Sequence, residues 1–137
     1  MIERRFYFST RKDRSSAATA LLEALVSQGW KRTYVWSDVT LSPDKYSDVA
    51  TSELQGIESA DLVVVLLPGG YGTHVEIGAA LAFGKPVILH APDLSTLNTP
   101  YPCVFHYHPL IKLIVSEVVD VEEFITIMTS LIENKPS

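Results

Sequence analysis

Short apolar runs bounded by turn residues alternate along this chain with longer stretches whose apolar residues return every third or fourth position. The first run, residues 5–9, carries Phe6, Tyr7 and Phe8, side chains that suit a strand. A polar, basic loop follows, Thr10-Arg11-Lys12-Asp13-Arg14, and Ser15 or Ser16 is expected to cap a helix. In that helix Ala18, Leu21, Leu22, Leu25 and Val26 stand at helical spacing, and Gly29 stops it. Residues 33–36 read as a short second strand and 38–47 as a polar loop around Pro43. Residues 49–59 read as a helix with Leu54 and Ile57 on one face. Residues 61–67 are almost continuously apolar, as expected of a strand covered on both faces. A helix over 73–83 ends at Gly84, and 86–90 is a fourth strand. Residues 91–102 form a loop with three prolines, 104–107 and 112–115 are short β-like stretches, and 121–132 is a final amphipathic helix.

Strands that alternate with helices predict right-handed βαβ units. The expected architecture is a single α/β domain over residues 1–137: a doubly wound parallel sheet, flavodoxin-like in strand order, of about five strands with helices on both faces. Sheets of this kind take ligands beyond the carboxyl ends of their strands. The loops 9–14 and 68–72 emerge there from strands expected to be central.

Composition narrows the function classes. The chain has 137 residues, 47% of them hydrophobic and 20% charged, which suits one domain with a buried core. No apolar run is long enough to cross a membrane, and the N-terminus has no signal-peptide pattern, so a cytoplasmic location is expected. The one cysteine, Cys103, excludes an internal disulfide and fits a reducing compartment. A net charge of −5 argues against a nucleic-acid polymer as partner, while leaving room for a local anion site.

The chemistry concentrates in Pro68-Gly69-Gly70-Tyr71-Gly72-Thr73-His74-Val75-Glu76. Gly69, Gly70 and Gly72 permit close backbone approach to a ligand, and the N–H groups of the following helix favour an anion or sugar oxygens. The lysine of a P-loop is missing, and the glycine spacing is not that of a dinucleotide fingerprint. Thr73 and Glu76 have capping-box spacing. Two readings of Glu76 stay open on the residues: a helix cap, or a carboxylate beside an anomeric carbon that attacks it to give a glycosyl ester. In the second, the helix N-terminus is expected to keep Glu76 ionised.

The stretch Asp61-Leu-Val-Val-Val-Leu-Leu-Pro-Gly-Gly-Tyr-Gly-Thr-His-Val-Glu-Ile-Gly-Ala-Ala-Leu-Ala-Phe-Gly-Lys-Pro-Val-Ile-Leu89 resembles the nucleoside 2-deoxyribosyltransferase family. Arg5-Phe-Tyr-Phe-Ser-Thr10 is similar to its first strand and loop, and Ser52-Glu-Leu-Gln-Gly-Ile-Glu-Ser-Ala-Asp61 to the helix before its glycine loop. The resemblance covers roughly the first 90 residues in matching order. It implies an enzyme that transfers or hydrolyses at the N-glycosidic bond of a nucleoside or its 5′-monophosphate, with no metal or organic cofactor. It also implies a homo-oligomer whose partner is that small molecule. By it, Glu76 matches the nucleophile and Tyr7 a tyrosine that holds it. Glu53 falls where the family usually has an aspartate near base and sugar. Gly70 stands where nucleoside transferases carry another base-contacting aspartate, which leaves room for a hydrolase or another substrate. Ser9, Arg11, Gly69, Gly70, Tyr71, Gly72 and Thr73 are the implied substrate contacts. The glycine loop also resembles the lysine-decarboxylase-like nucleotide phosphoribohydrolases, which release cytokinin-type bases. A non-catalytic nucleotide-binding module on the same fold is the remaining alternative.

Other residues add less. Arg11, Lys12 and Arg14 suit a 5′-phosphate at a helix start, or simply a solvated loop. His106 and His108 are two apart and can share one side of a strand, but with only His74 and His90 besides, a metal site is not expected. His74 is expected on the exposed face of its helix. Asp61 opens a strand expected to lie next to the site, where binding loop N–H groups is as reasonable as catalysis. Trp30 and Trp36 are expected to pack.

Overall fold

The computed structural model describes residues 3–11, 15–35 and 42–133. The elements in chain order are β1 (Arg5–Thr10), α1 (Ser15–Ser27), β2 (Lys31–Arg32), α2 (Tyr46–Ser59), β3 (Leu62–Leu66), α3 (Tyr71–Ala82), β4 (Val87–Ala91), β5 (Ile111–Val115) and α4 (Val121–Glu133). The five strands form one parallel sheet in the order β2-β1-β3-β4-β5, which is the flavodoxin-like order expected from the sequence. The chain steps outward from β1 to β2, then returns to place β3 on the other side of β1. The ligand crevice of this topology lies where the β1 and β3 carboxyl ends diverge.

Side-chain alternation along the strands sorts the core into two layers. Phe6 and Phe8 of β1 and Leu62, Val64 and Leu66 of β3 pack with Leu21 and Leu25 of α1 and with Phe124 and Met128 of α4. Tyr7 of β1 and Val63 and Val65 of β3 turn to the opposite layer, with Ile57 of α2 and Ile77 and Ala80 of α3. β3 and β4 are fully buried, which explains their unbroken apolar sequences. Gly29 and Gly84 have φ of 91° and 73° at the ends of α1 and α3, as helix-terminating glycines do. Among the described residues no helix is long and apolar enough to cross a membrane.

Four local expectations are corrected. The second strand lies at Lys31–Arg32, not 33–36. The Thr33 N–H still reaches the Phe6 carbonyl at 2.9 Å, but its hydroxyl donates to the Gly56 carbonyl at 2.8 Å, turning the chain toward α2. Residues 104–107 form a 3-10 turn rather than a strand, with the His106 N–H donating back to the Cys103 carbonyl. α3 begins at Tyr71, two residues early, because Gly70 is extended and supplies the first accepting carbonyl, to His74. α1 contains both Ser15 and Ser16, the residues expected to cap it, and the residues just before it lie outside the described ones.

Candidate active site

β1 and β3 pair in register, Tyr7 against Val63 and Ser9 against Val65, so Tyr7 and Ser9 project from the same sheet face toward α2 and α3. Glu76 comes to them from the second turn of α3. The Ser9 hydroxyl donates to Glu76 Oε1 at 3.5 Å, the outer limit of such a bond. The Tyr7 phenol, 2% exposed, faces the same carboxylate and acts on its pKa as a hydrogen-bond donor does. The carboxylate is thus approached by two hydroxyls from a rigid central strand.

Its protonation is set by competition. Burial pushes the Glu76 carboxyl up to about 7. The Tyr7 hydrogen bond opposes that shift, the charge of Glu53 adds to it, and the Ser9 hydrogen bond opposes it more weakly. Burial therefore outweighs any favour from the helix N-terminus, contrary to the expectation that this end keeps Glu76 ionised. The Glu53 carboxyl is raised by its own burial. The Tyr7 phenol is pushed up by burial first, then by the charge of Glu76 and the hydrogen bond to it, so it remains a donor across neutral pH.

The capping box is not formed. Gly70 occupies the cap position of α3, and Thr73 is a buried residue of the first turn rather than its cap. Glu76 therefore belongs to the second turn of α3 and does not complete a cap. Gly69 and Gly70 do not adopt positive φ either; among the described residues only Gly29 and Gly84 do. Gly69 serves close approach instead: a β-carbon there would lie 2.5 Å from Thr73 Cγ2. At Gly70 a β-carbon would meet nothing within 4 Å. Gly69→Ala is accordingly expected to cost about 1–3 kcal/mol through overpacking, and Gly70→Ala to leave stability nearly unchanged. The midpoints of urea unfolding for the two variants check this contrast.

The other expected contacts scatter. Tyr71 is 96% exposed, at the start of α3. Gly72 lies under the carboxylate, its notional β-carbon 3.8 Å from Glu76 Oε1. Arg11 is exposed at the β1 carboxyl end. Lys12, Arg14 and Trp36 lie outside the described residues. Asp61 lies at the opposite end of the sheet from the site, accepting the Arg5 N–H at 2.9 Å, a structural contact between β1 and β3. Trp30 packs in the α1 and α4 layer as expected, edge-on to Phe6.

Two contributors escaped the sequence reading. Tyr34 stacks on Tyr7 with ring centroids 6.3 Å apart. Gly56 of α2 leaves the space for both rings: a β-carbon there would lie 3.0 Å from Tyr34 Cβ and 3.1 Å from Tyr7 Cδ2. A glycine inside a predicted helix was the available signal. The histidines also differ from expectation. His74 is half-buried, its ring against that of His106 at 5.1 Å between centroids. His108 instead accepts the Leu110 N–H through Nδ1 at 3.0 Å. Burial lowers the His106 pKa, and the neighbouring His74 lowers it further.

The family model for nucleoside 2-deoxyribosyltransferase matches residues 6–128. No curated protein matches the chain. Among solved structures, a CMP N-glycosidase of Clostridium botulinum is similar at 22% identity and a TM-score of 0.64, over 93% of this chain and 98% of that one. A 2-deoxyribosyltransferase of Bacillus psychrosaccharolyticus is similar at 17% identity and a TM-score of 0.61, over 96% of this chain and 92% of that one. A conserved protein of Enterococcus faecalis V583 is similar at 18% identity and a TM-score of 0.64, over 94% and 99%. At these identities the solved structures speak to the fold.

Proposed function

Because this chain belongs to the nucleoside 2-deoxyribosyltransferase family, we propose that it breaks the N-glycosidic bond of a nucleoside or nucleoside 5′-monophosphate, with Glu76 as nucleophile. The observation that supports this reading is the Glu76 carboxylate, partly buried at the switch point of the sheet and faced by the hydroxyls of Ser9 and Tyr7. A carboxylate with a pKa near 7 keeps substantial basicity, and so nucleophilicity, while still being ionised in part at neutral pH.

The chemistry follows in two displacements. Glu76 attacks C1′ as the bond to the base breaks, and the bonding pair leaves with the base nitrogen. Glu53, whose own burial raises its pKa, gives the base a proton. Tyr7 fixes one carboxylate oxygen and leaves the other to react. Water or a second base then attacks C1′ of the glycosyl ester and releases Glu76. The residues at the glycine loop, Gly69, Gly70, Gly72 and Thr73, border the sugar in this reading. Tyr71 covers it, and Arg11 meets a 5′-phosphate where the substrate has one. Gly70 offers no side chain to a base, which favours hydrolysis or a substrate other than that of the nucleoside transferases.

Incubation with a panel of deoxynucleosides, ribonucleosides and their monophosphates, with free base followed by chromatography, tests the proposal. Base release, and mass-spectrometric detection of a 2-fluoro sugar on the peptide containing Glu76, are expected. No release from any member, with Glu76→Ala binding ligand as the wild type does, overturns it in favour of a binding module.

A homo-oligomer is part of the same proposal. Tyr71 and Val75 of α3 and Tyr101, Val104, Phe105 and Tyr107 of the adjoining segment are all more than half exposed. Apolar surface of this kind is what a second copy would cover.

A further inference from the structure

His74, Cys103 and His106 come together from separate parts of the chain, outside the carboxylate site. One ligating atom of each lies within 4.8 Å of the others. They line a cavity of about 250 Å³ behind the glycine loop, whose walls include Gly69 and Tyr101 but none of Tyr7, Ser9, Glu53 or Glu76.

The hydrogen bonds fix the chemistry of this cluster. His74 Nδ1 is 3.0 Å from the Gly70 carbonyl, which can only accept, so Nδ1 carries the proton and Nε2 presents a lone pair. This is the carbonyl-to-imidazole arrangement that orients a histidine ligand. His74 Nε2 faces His106 Nε2 at 3.0 Å. His106 is 5% exposed, and its Nδ1 is buried with no hydrogen-bond partner. Without an ion, the His74 Nε2 lone pair is met by a proton on His106 Nε2; with both Nε2 lone pairs directed at a cation, that proton moves to His106 Nδ1.

We infer that His74, Cys103 and His106 form a binding site for a thiophilic divalent cation, zinc above all, at the base of the glycine loop. Two imidazoles and a thiolate are a donor set suited to zinc, with a fourth position left to water from the cavity. Zinc–nitrogen bonds of about 2.0–2.1 Å at a tetrahedral angle separate two nitrogens by about 3.3 Å, close to the spacing present. Cys103, at the half-exposed end of a 3-10 turn, would close on the two histidines to reach its own bond length of about 2.3 Å. Binding forms the metal–sulfur bond, and the thiol proton goes to solvent. The bound ion would tie residues 103–106 to the first turn of α3.

Titration of the untagged, metal-stripped full chain with cobalt(II), under a non-coordinating reductant, tests this. One cobalt per chain, a thiolate-to-cobalt charge-transfer band in the near ultraviolet, and its displacement by one equivalent of zinc are expected. Cys103→Ala should remove the charge-transfer band, and His74→Ala should weaken zinc binding by about tenfold or more. Both positions are partly exposed, and matching circular dichroism spectra will confirm that the variants fold. No charge-transfer band in the wild type, or zinc binding that His74→Ala leaves unchanged, overturns the site. Because the readouts are spectroscopic, failure here is distinct from failure of base release at Glu76.

Discussion

Glu76→Gln is expected to abolish base release and to make the protein more stable. The amide retains the shape of the carboxylate and can still accept from Tyr7, but it is a far weaker nucleophile toward C1′. A loss of about a thousandfold or more in kcat/KM is expected. The stability gain has the opposite sign and a specific pH window. Folding raises the Glu76 pKa from 4.5 to about 7, so between those values the folded state holds a proton that the unfolded state has released. Wild-type stability therefore falls as pH rises through that window, by up to about 3 kcal/mol from this group. Glutamine does not ionise and escapes the loss. The variant should gain little at pH 4 and most at pH 8, as read from urea unfolding at the two pH values. A gain that is equal at both would sever it from ionisation of Glu76.

Tyr7→Phe should move the pH profile and the rate together. The Tyr7 hydroxyl donates to the ionised form of Glu76 and so holds its pKa down against burial. Without it the Glu76 pKa rises above 7, and less of the carboxylate is ionised at neutral pH. Wild-type kcat/KM is expected to climb with pH toward about 7 as Glu76 ionises, and to fall where Glu53 loses the proton it gives to the base. In Tyr7→Phe the limb shifts to higher pH, and activity at pH 6 falls more than activity at pH 9. A uniform loss across the profile would assign Tyr7 to packing alone. Tyr34→Phe provides the control, since Tyr34 stacks on the Tyr7 ring but is not among the groups that shift the Glu76 pKa.

Much of this arrangement is written locally. The unbroken apolar runs at β3 and β4 reflect strands covered on both faces, and Gly29 and Gly84 end their helices at positive φ, so both could be read from short windows. The meeting of Tyr7 and Glu76 was legible only through resemblance, because sixty-nine positions separate them and only the β1–β3 register brings them together. Thr-x-x-Glu is a local pattern that leaves a cap open, whereas the extended Gly70 and the packing of Thr73 against Gly69 set the actual helix start. The pKa of Glu76 was misjudged for a related reason: the helix end is visible in sequence, and burial is not. Tyr34 and Gly56 fit one another across the first βα units, a complementarity of volumes that no single segment displays. The His74–His106 contact spans an irregular loop, where periodicity carries no information.

The alternation of β1 ties folding and chemistry into one strand in a way that α3 does not. Phe6 and Phe8 anchor one core layer while Tyr7 and Ser9, between and beside them, furnish the hydroxyls. Inserting or deleting one residue there would exchange the two sets, sending aromatic hydrocarbon into the cleft and hydroxyls into the core. Evolution can therefore adjust β1 only by substitution in place. On α3, by contrast, Glu76 can be exchanged in place without disturbing either core layer.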